Sequence, residues 1–379
     1  MTRRVVLVGG GLAHLHLLEA WRRRPVADAE LVVVSPEPRP WYSGMVPGYL
    51  RGEYDDAEVQ VDLAHAARCA GARLVVGTAT RVSRAERVVE LAGERLAFDA
   101  CAIDVGSAPS GTGLPGVLEH AIPLRPMSRA RDVRARVDAL LAAEERADVV
   151  VVGAGAGGVE VAFALMRRIT ERGARGGVTL VDGSGTLLPG EPPAMRERVT
   201  DLLRAAGVGT VLGRAVTSVE PREVRLASGA VLPAGLVVWT TGAAPPALLA
   251  ASDLPVDTNG YLLVDRTLLA TGGEGVWGAG DCIAMVGQPG LPRAGAYALR
   301  QGGTLLHNIR AALGTGRPRV YRPRHRALAI LDTADGAAVA RWGGHHAYGP
   351  WAWRLKRRID LRFVSRFREP CDETRVAAS

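Results

Sequence analysis

Twice along the chain a short unbroken apolar run gives way to glycines and then to a helical periodicity. Val5 to Val8 lead into Gly9-Gly10-Gly11 and a helix expected over 12–24; Val149 to Val152 lead into the stretch 153–158 and a helix expected over 159–172. Unbroken Val/Leu runs bounded by glycine suit strands buried on both faces, as in a parallel sheet covered by helices. A second such run follows each helix, at 30–35 (ELVVVS) and 177–182 (GVTLVD), completing a βαβ unit. Residues 71–109 and 207–245 are then equally long, and Gly71, Gly77, Gly93, Leu96, Gly106 and Pro109 fall on Gly207, Gly213, Gly229, Leu232, Gly242 and Pro245 at one offset. The chain is therefore read as a divergent duplication, each copy a βαβ unit followed by a short β-meander. The expected fold is α/β, with two Rossmann-like domains of three layers and a small C-terminal α+β segment.

The two glycine loops carry the first chemistry. After a buried strand, Gly9 or Gly153 makes the tight turn, Gly11 or Gly155 lets backbone N–H groups approach a pyrophosphate, and the helix dipole favours the anion. Gly158 stands at the third glycine position; in the first copy His14 occupies that place and is read as a packing or hydrogen-bonding residue. Asp182, ending the second strand of the second copy, is placed to accept from a ribose 2′-OH and to repel a 2′-phosphate, which favours NADH over NADPH. A helix-capping Asp is the plainer alternative. The equivalent strand of the first copy ends in Ser35, with Glu37 two residues on, and either can meet an adenosine ribose.

Composition narrows the class. With 47% hydrophobic residues and 46 glycines in 379 residues, the chain reads as an ordinary globular protein of about two domains, with disorder confined to the tail after Glu369. The net charge of +8 is local, since residues 317–368 alone carry a surplus of +10. Only Lys356 among 47 basic residues is lysine, a bias that gives nucleic acid little weight as a partner. Apolar runs are too short to span a bilayer. Cys69, Cys101, Cys282 and Cys371 form no close pair in sequence and nothing in the opening strand resembles a signal peptide, so a reducing, cytoplasmic compartment is expected. No metal site is expected.

Gly275-Val-Trp-Gly-Ala-Gly-Asp-Cys282, read with the two loops, resembles the late FAD motif of the two-dinucleotide-binding flavoproteins, which include the pyridine nucleotide-disulfide oxidoreductases, type II NADH dehydrogenases and sulfide:quinone reductases. The resemblance implies FAD in the first module and NADH in the second. It implies Gly280 and Asp281 at the ribityl chain, and a helix over 294–314, bearing Tyr297 and Gln301, aimed at the flavin pyrimidine, where a helix N-terminus stabilises the anionic reduced ring. It places Gly106 and Gly242 in loops closing over each cofactor, Ser43, Gly44 and Met45 along the isoalloxazine edge after Tyr42, and Glu160 near the nicotinamide; for Glu160 the alternative is a first-turn helix acid. The implied domains are an FAD domain (1–113 and 251–318), an inserted NAD(P)H domain (114–250) and a C-terminal segment (319–379). Trp41 to Gly48, the Pro-Arg-Ala-Gly run and residues 353–363 further resemble flavoproteins associated with selenophosphate synthetase.

Disulfide reductases of this superfamily carry a cysteine pair after the second strand, and 38–53 here has none; residues 110–250 hold no partner for Cys282, which is read with Cys101 as packing. Electrons are therefore expected to pass from NADH to flavin and directly to a small non-thiol acceptor such as a quinone. Of the Gln-rich motif of type II NADH dehydrogenases only Gln301 is present, with Ala296 and Arg300 at the other places. A reductase serving selenium or sulfur metabolism and a flavin-bound redox sensor are the alternatives. On a helix expected over 351–367, Trp351, Leu355, Ile359, Phe363 and Phe367 form an apolar stripe flanked by arginines. It suits packing on the FAD domain or a homodimer mate, or peripheral contact with anionic lipid.

Overall fold

The apolar runs become the central strands of two parallel five-stranded sheets. The computed structural model describes residues 2–144, 146–273, 275–323 and 327–371. In the first sheet the order is Val276–Gly278, Ala100–Ile103, Arg3–Val8, Ala29–Ser35, Arg73–Val76. In the second it is Gly209–Leu212, Gly176–Asp182, Ala147–Val152, Leu236–Trp239, Ala121–Pro123. All pairings in both are parallel, and Val5 to Val8 and Leu31 to Val34 are at most 2% exposed, because helices and loops cover both faces. Each sheet carries an antiparallel three-stranded meander, Ala79–Ser83/Val88–Leu91/Glu94–Ala97 and Val216–Glu220/Glu223–Leu226/Val231–Pro233. These are the two copies of the repeat. The fold is α/β with two Rossmann-like units, as the pattern implied.

Helices follow each glycine loop at Leu12–Arg23 and Ala156–Glu171, the second starting three residues earlier than expected. The late motif leads to helix Gly295–Ala312, which packs on Leu12–Arg23 so closely that a Cβ at Gly302 would lie 2.5 Å from the Ala13 carbonyl. The C-terminal segment is a three-stranded antiparallel sheet, Leu328–Asp332, Ala338–Trp342 and His345–Gly349, followed by helix Pro350–Ser365. No helix among the described residues is long and apolar enough to cross a membrane. The tail expected to lack structure is described only to Cys371; residues 372–379 lie outside the described residues.

Two expectations are corrected. Cys69 and Cys371, 302 residues apart, are joined in a disulfide, because the C-terminal segment folds back onto helix Leu63–Cys69. The helix stripe is also misaligned: Trp351 and Ile359 are 49% and 44% exposed, while Ala352, Asp360, Phe363 and Val364 face inward and Lys356 is largely covered. A salt-bridged Lys356–Asp360 pair at i,i+4 can be buried in place of apolar residues, and sequence periodicity alone does not register such pairing.

Candidate functional site

Gly9 (φ +101°) turns the chain out of its strand and donates from its N–H to Val34 O at 2.8 Å. A side chain there would meet the Asp104 carbonyl at 2.2 Å, and one at Gly11 would meet the Asp104 carboxyl group at the same distance. Asp104 Oδ2 accepts from the N–H groups of Ala13 (2.8 Å) and His14 (3.3 Å), in the first turn of the helix. Burial pushes the Asp104 acid up to about 7, against the lowering effect of these two bonds and with Asp281 adding to the rise. His14 is fully buried; Nδ1 donates to Gly9 O (2.7 Å), Nε2 has no partner among the described residues, and burial pulls the imidazole down to about 4, so it is neutral. Ser35, 3% exposed, lies under the loop and donates to Glu37 O (2.9 Å), while the Glu37 carboxylate accepts from Ser128 Oγ.

The late motif meets this loop from the other side. Gly280 (φ +74°) has no room for a Cβ because Asp104 Oδ1 would lie 2.2 Å away, and its N–H donates to Gln301 Oε1 at 2.7 Å. Gln301 and Tyr297 are both buried on helix Gly295–Ala312. Burial raises the Asp281 acid, while Arg125 and Arg293 lower it; Arg293 Nε also donates to Asp281 O (3.2 Å) and its guanidinium stacks on Tyr261. Cys282 is 0% exposed, its Sγ directed at the Ala279 and Ile103 carbonyls, and burial drives its thiol far up. Burial therefore disfavours its thiolate form.

In the second copy Gly153 (φ +114°) and Gly158 are forced by contact, a Cβ at Gly158 falling 1.8 Å from Gly153 O. Gly155 and Gly157 instead face open space, a cradle in which a phosphate can approach the backbone. Asp182 Oδ2 accepts from Ala154 N (2.7 Å) and Oδ1 from Ser184 N (2.6 Å), which holds the carboxylate beside the loop. The Gly106 and Gly242 loops lie side by side, since Ala108–Pro109 pairs antiparallel with Ala243–Ala244 and Ser110 N donates to Gly242 O (2.8 Å). The cradles fit two dinucleotides.

Between the two modules a polar cluster converges. Ser43–Met45 form a single helical turn after Tyr42, whose ring lies 4.7 Å from that of Phe363 on the C-terminal helix. Lys356 Nζ donates to Gly44 O and to Asp360 Oδ2 (2.8 Å), with both side chains of the pair largely buried. Glu160, in the first turn and a half of helix Ala156–Glu171, accepts from Asp332 N at 2.9 Å; burial pushes its acid up to about 7 although Lys356 draws it down. Arg51 bridges Asp332 (2.9 Å) and Glu53. Asp104, Arg125, Arg293 and Lys356 were not identified from sequence. Asp104 had a signal, an acid at the end of the apolar run Ala100–Ile103 where the second copy has Thr240; the others act only through tertiary contact.

The profile described as pyridine nucleotide-disulphide oxidoreductase matches residues 3–302. The chain is 29% identical over 293 residues to the internal alternative NAD(P)H-ubiquinone oxidoreductase A1, mitochondrial, of Arabidopsis thaliana, covering 66% of this chain and 57% of that one. It is 28% identical over 259 residues to the demethylphylloquinone reductase NdbB of Synechocystis, covering 66% and 63%. The chain thus spans less than two thirds of the length of these two relatives. Its fold is similar to that of the sulfide:quinone oxidoreductase of Aquifex aeolicus, at 20% identity and a TM-score of 0.82 over 97% of this chain and 91% of that one.

Proposed function

The chain belongs to the pyridine nucleotide-disulphide oxidoreductase family, and from that premise we propose that it is an FAD-dependent oxidoreductase that uses NADH to reduce a quinone. When bound, the flavin supplies the two-electron chemistry, so that NADH, a proton and a quinone yield NAD+ and a quinol. The first loop, Gly280, Asp281 and the buried face of helix Gly295–Ala312 would hold FAD, and the second loop with Asp182 would hold NADH.

The observation that carries the reading is the convergence of Glu160, Lys356 and Asp360 beside Gly44, without a thiol among them. A quinone must take up protons as well as electrons. Glu160 Oε1 is engaged by the Asp332 N–H, which leaves Oε2 to hold a proton, and an acid near 7 gives it up at neutral pH. Lys356, fixed by Gly44 O and Asp360, keeps a positive charge beside that proton. The relatives named for ubiquinone and demethylphylloquinone reduction support a quinone as acceptor. Outward on the same helix, Trp351 and Ile359 are exposed beside Arg354, Arg358 and Arg362, a face suited to an anionic lipid surface in which a quinone dissolves.

The test is anaerobic reduction of the purified flavoprotein by NADH or NADPH, followed by a panel of short-chain quinones, small disulfides and polysulfide. Turnover with quinones, faster reduction by NADH, and Cys282→Ala activity within a few-fold of wild type are expected. Turnover confined to disulfides, or loss of activity in a flavin-loaded Cys282→Ala variant, would replace direct transfer with a thiol mechanism.

A further inference from the structure

The C-terminal end of the chain is fastened at one point by covalent chemistry that the redox site does not use. Cys69 closes helix Leu63–Cys69, and Cys371 meets it with a Cα–Cα distance of 5.1 Å, inside the range a disulfide spans without backbone movement. His65, one turn earlier on that helix, faces the same sulfur: Nε2 lies 3.3 Å from Cys69 Sγ and 2.7 Å from Glu369 O. Arg68 donates to His65 Nδ1 at 3.4 Å, which leaves the ring proton on Nε2, directed at Glu369 O and Cys69 Sγ. Cys69 is 8% exposed, whereas Cys371 is half-buried at the edge of the protein.

The fastened segment leads to the polar cluster. Arg368 donates to the carbonyls of Ala57 and Gln60, Arg366 pairs with Glu19, Phe367 packs on Phe363 with ring centroids 5.3 Å apart, and Phe363 packs on Tyr42. We propose that Cys69 and Cys371 form a thiol-exchange site, opened and closed by a low-molecular-weight thiol and its disulfide, which clamps the C-terminal helix against the Tyr42–Met45 turn.

In the opening direction a thiolate attacks the more accessible Cys371 Sγ, the Cys69–Cys371 bond breaks, and the Cys69 thiolate leaves towards the His65 Nε2–H. A second thiolate attacks the mixed disulfide, releasing Cys371 as thiolate. The two protein sulfurs take protons from the two incoming thiols, so two thiols become one small disulfide while the protein disulfide becomes two thiols. Closing is the reverse.

The full-length flavoprotein is equilibrated in glutathione buffers from reducing to oxidising, alkylated, and mapped by mass. Cys69 and Cys371 are expected to pass together from disulfide to two labelled thiols, with Cys101 and Cys282, both 0% exposed, unlabelled. His65→Ala should open several-fold more slowly, and trypsin should cut after Arg366 and Arg368 several-fold faster in the reduced protein and in Cys371→Ser. A disulfide that persists at every ratio until the chain unfolds, free thiols at the most oxidising ratio, or equal proteolysis in both states would overturn the proposal. These readouts do not involve the acceptor, so they stand apart from the quinone reading.

Discussion

At Asp104 one carboxyl group meets the end of a helix and two glycines, Gly11 and Gly280, that belong to two distant motifs, while the carbonyl of the same residue faces Gly9. An ionised carboxylate there would compete with a pyrophosphate for the same positive helix end, and burial removes much of that conflict by holding the acid neutral up to about 7. The sign of the pH dependence follows. An acid raised in the folded state adds stability that is complete below its ordinary value of 3.8 and is lost as pH rises towards 7. Asp104→Asn cannot ionise, so its stability relative to wild type is expected to climb between pH 4 and 7, by on the order of 2–4 kcal/mol. Urea unfolding of the flavin-loaded proteins across that range measures it, and a constant difference would show that Asp104 does not titrate there. The glycines themselves were legible from their spacing after an apolar strand. Asp104 was not, because what it does depends on Gly280, 176 positions later in the chain.

Helix Pro350–Ser365 shows the same limit for a whole element. Its existence and approximate ends followed from period and composition, but its orientation did not: the i,i+4 pair Lys356–Asp360 turns inward and part of the apolar stripe turns out. Hydrophobic periodicity reports the apolar side, and a paired ammonium and carboxylate supply each other's partner in the interior. Truncating one member leaves a buried charge without its counter-charge, so Lys356→Ala is expected to lower stability by about 3–5 kcal/mol. Lys356→Ala combined with Asp360→Ala should lose less than the sum of the single losses. Chemical denaturation of the three variants checks this; strict additivity would mean the pair is not energetically coupled.

Over the whole molecule the buried thiols and phenols and the Lys356 ammonium have a common alkaline sign. Burial raises the thiols of Cys101 and Cys282 and the phenols of Tyr42, Tyr49 and Tyr54, with Tyr49 reaching about 12; burial lowers the Lys356 ammonium, but its carboxylate neighbours Glu160, Asp360 and Asp332 together outweigh that and leave it raised. Each raised group adds stability below its ordinary value, 9.0 for the thiols, 10.0 for the phenols and 10.5 for the ammonium, and that stability is lost as pH rises towards the folded value. The effects add, so the unfolding free energy from urea titration is expected to fall steeply between pH 9 and 11, by roughly 1.4 kcal/mol per pH unit for each group that titrates only on unfolding. A flat profile there would mean these groups ionise in the folded protein.

What the linear chain determined by itself is local and repeated: apolar runs long enough for buried strands, glycines where a positive φ or a close backbone approach is needed, and a duplicated order of strand, loop, helix and meander. Those features depend on contacts within a few tens of residues or on a periodicity, and both are written in sequence. Only the tertiary structure decided which charges are buried together. The joining of Asp104 to Gly280, the meeting of Glu160 with Lys356, and the linkage of Cys69 to Cys371 each bring together residues from separate elements. Their burial, and with it their proton affinity and reactivity, is set by what the fold packs around them.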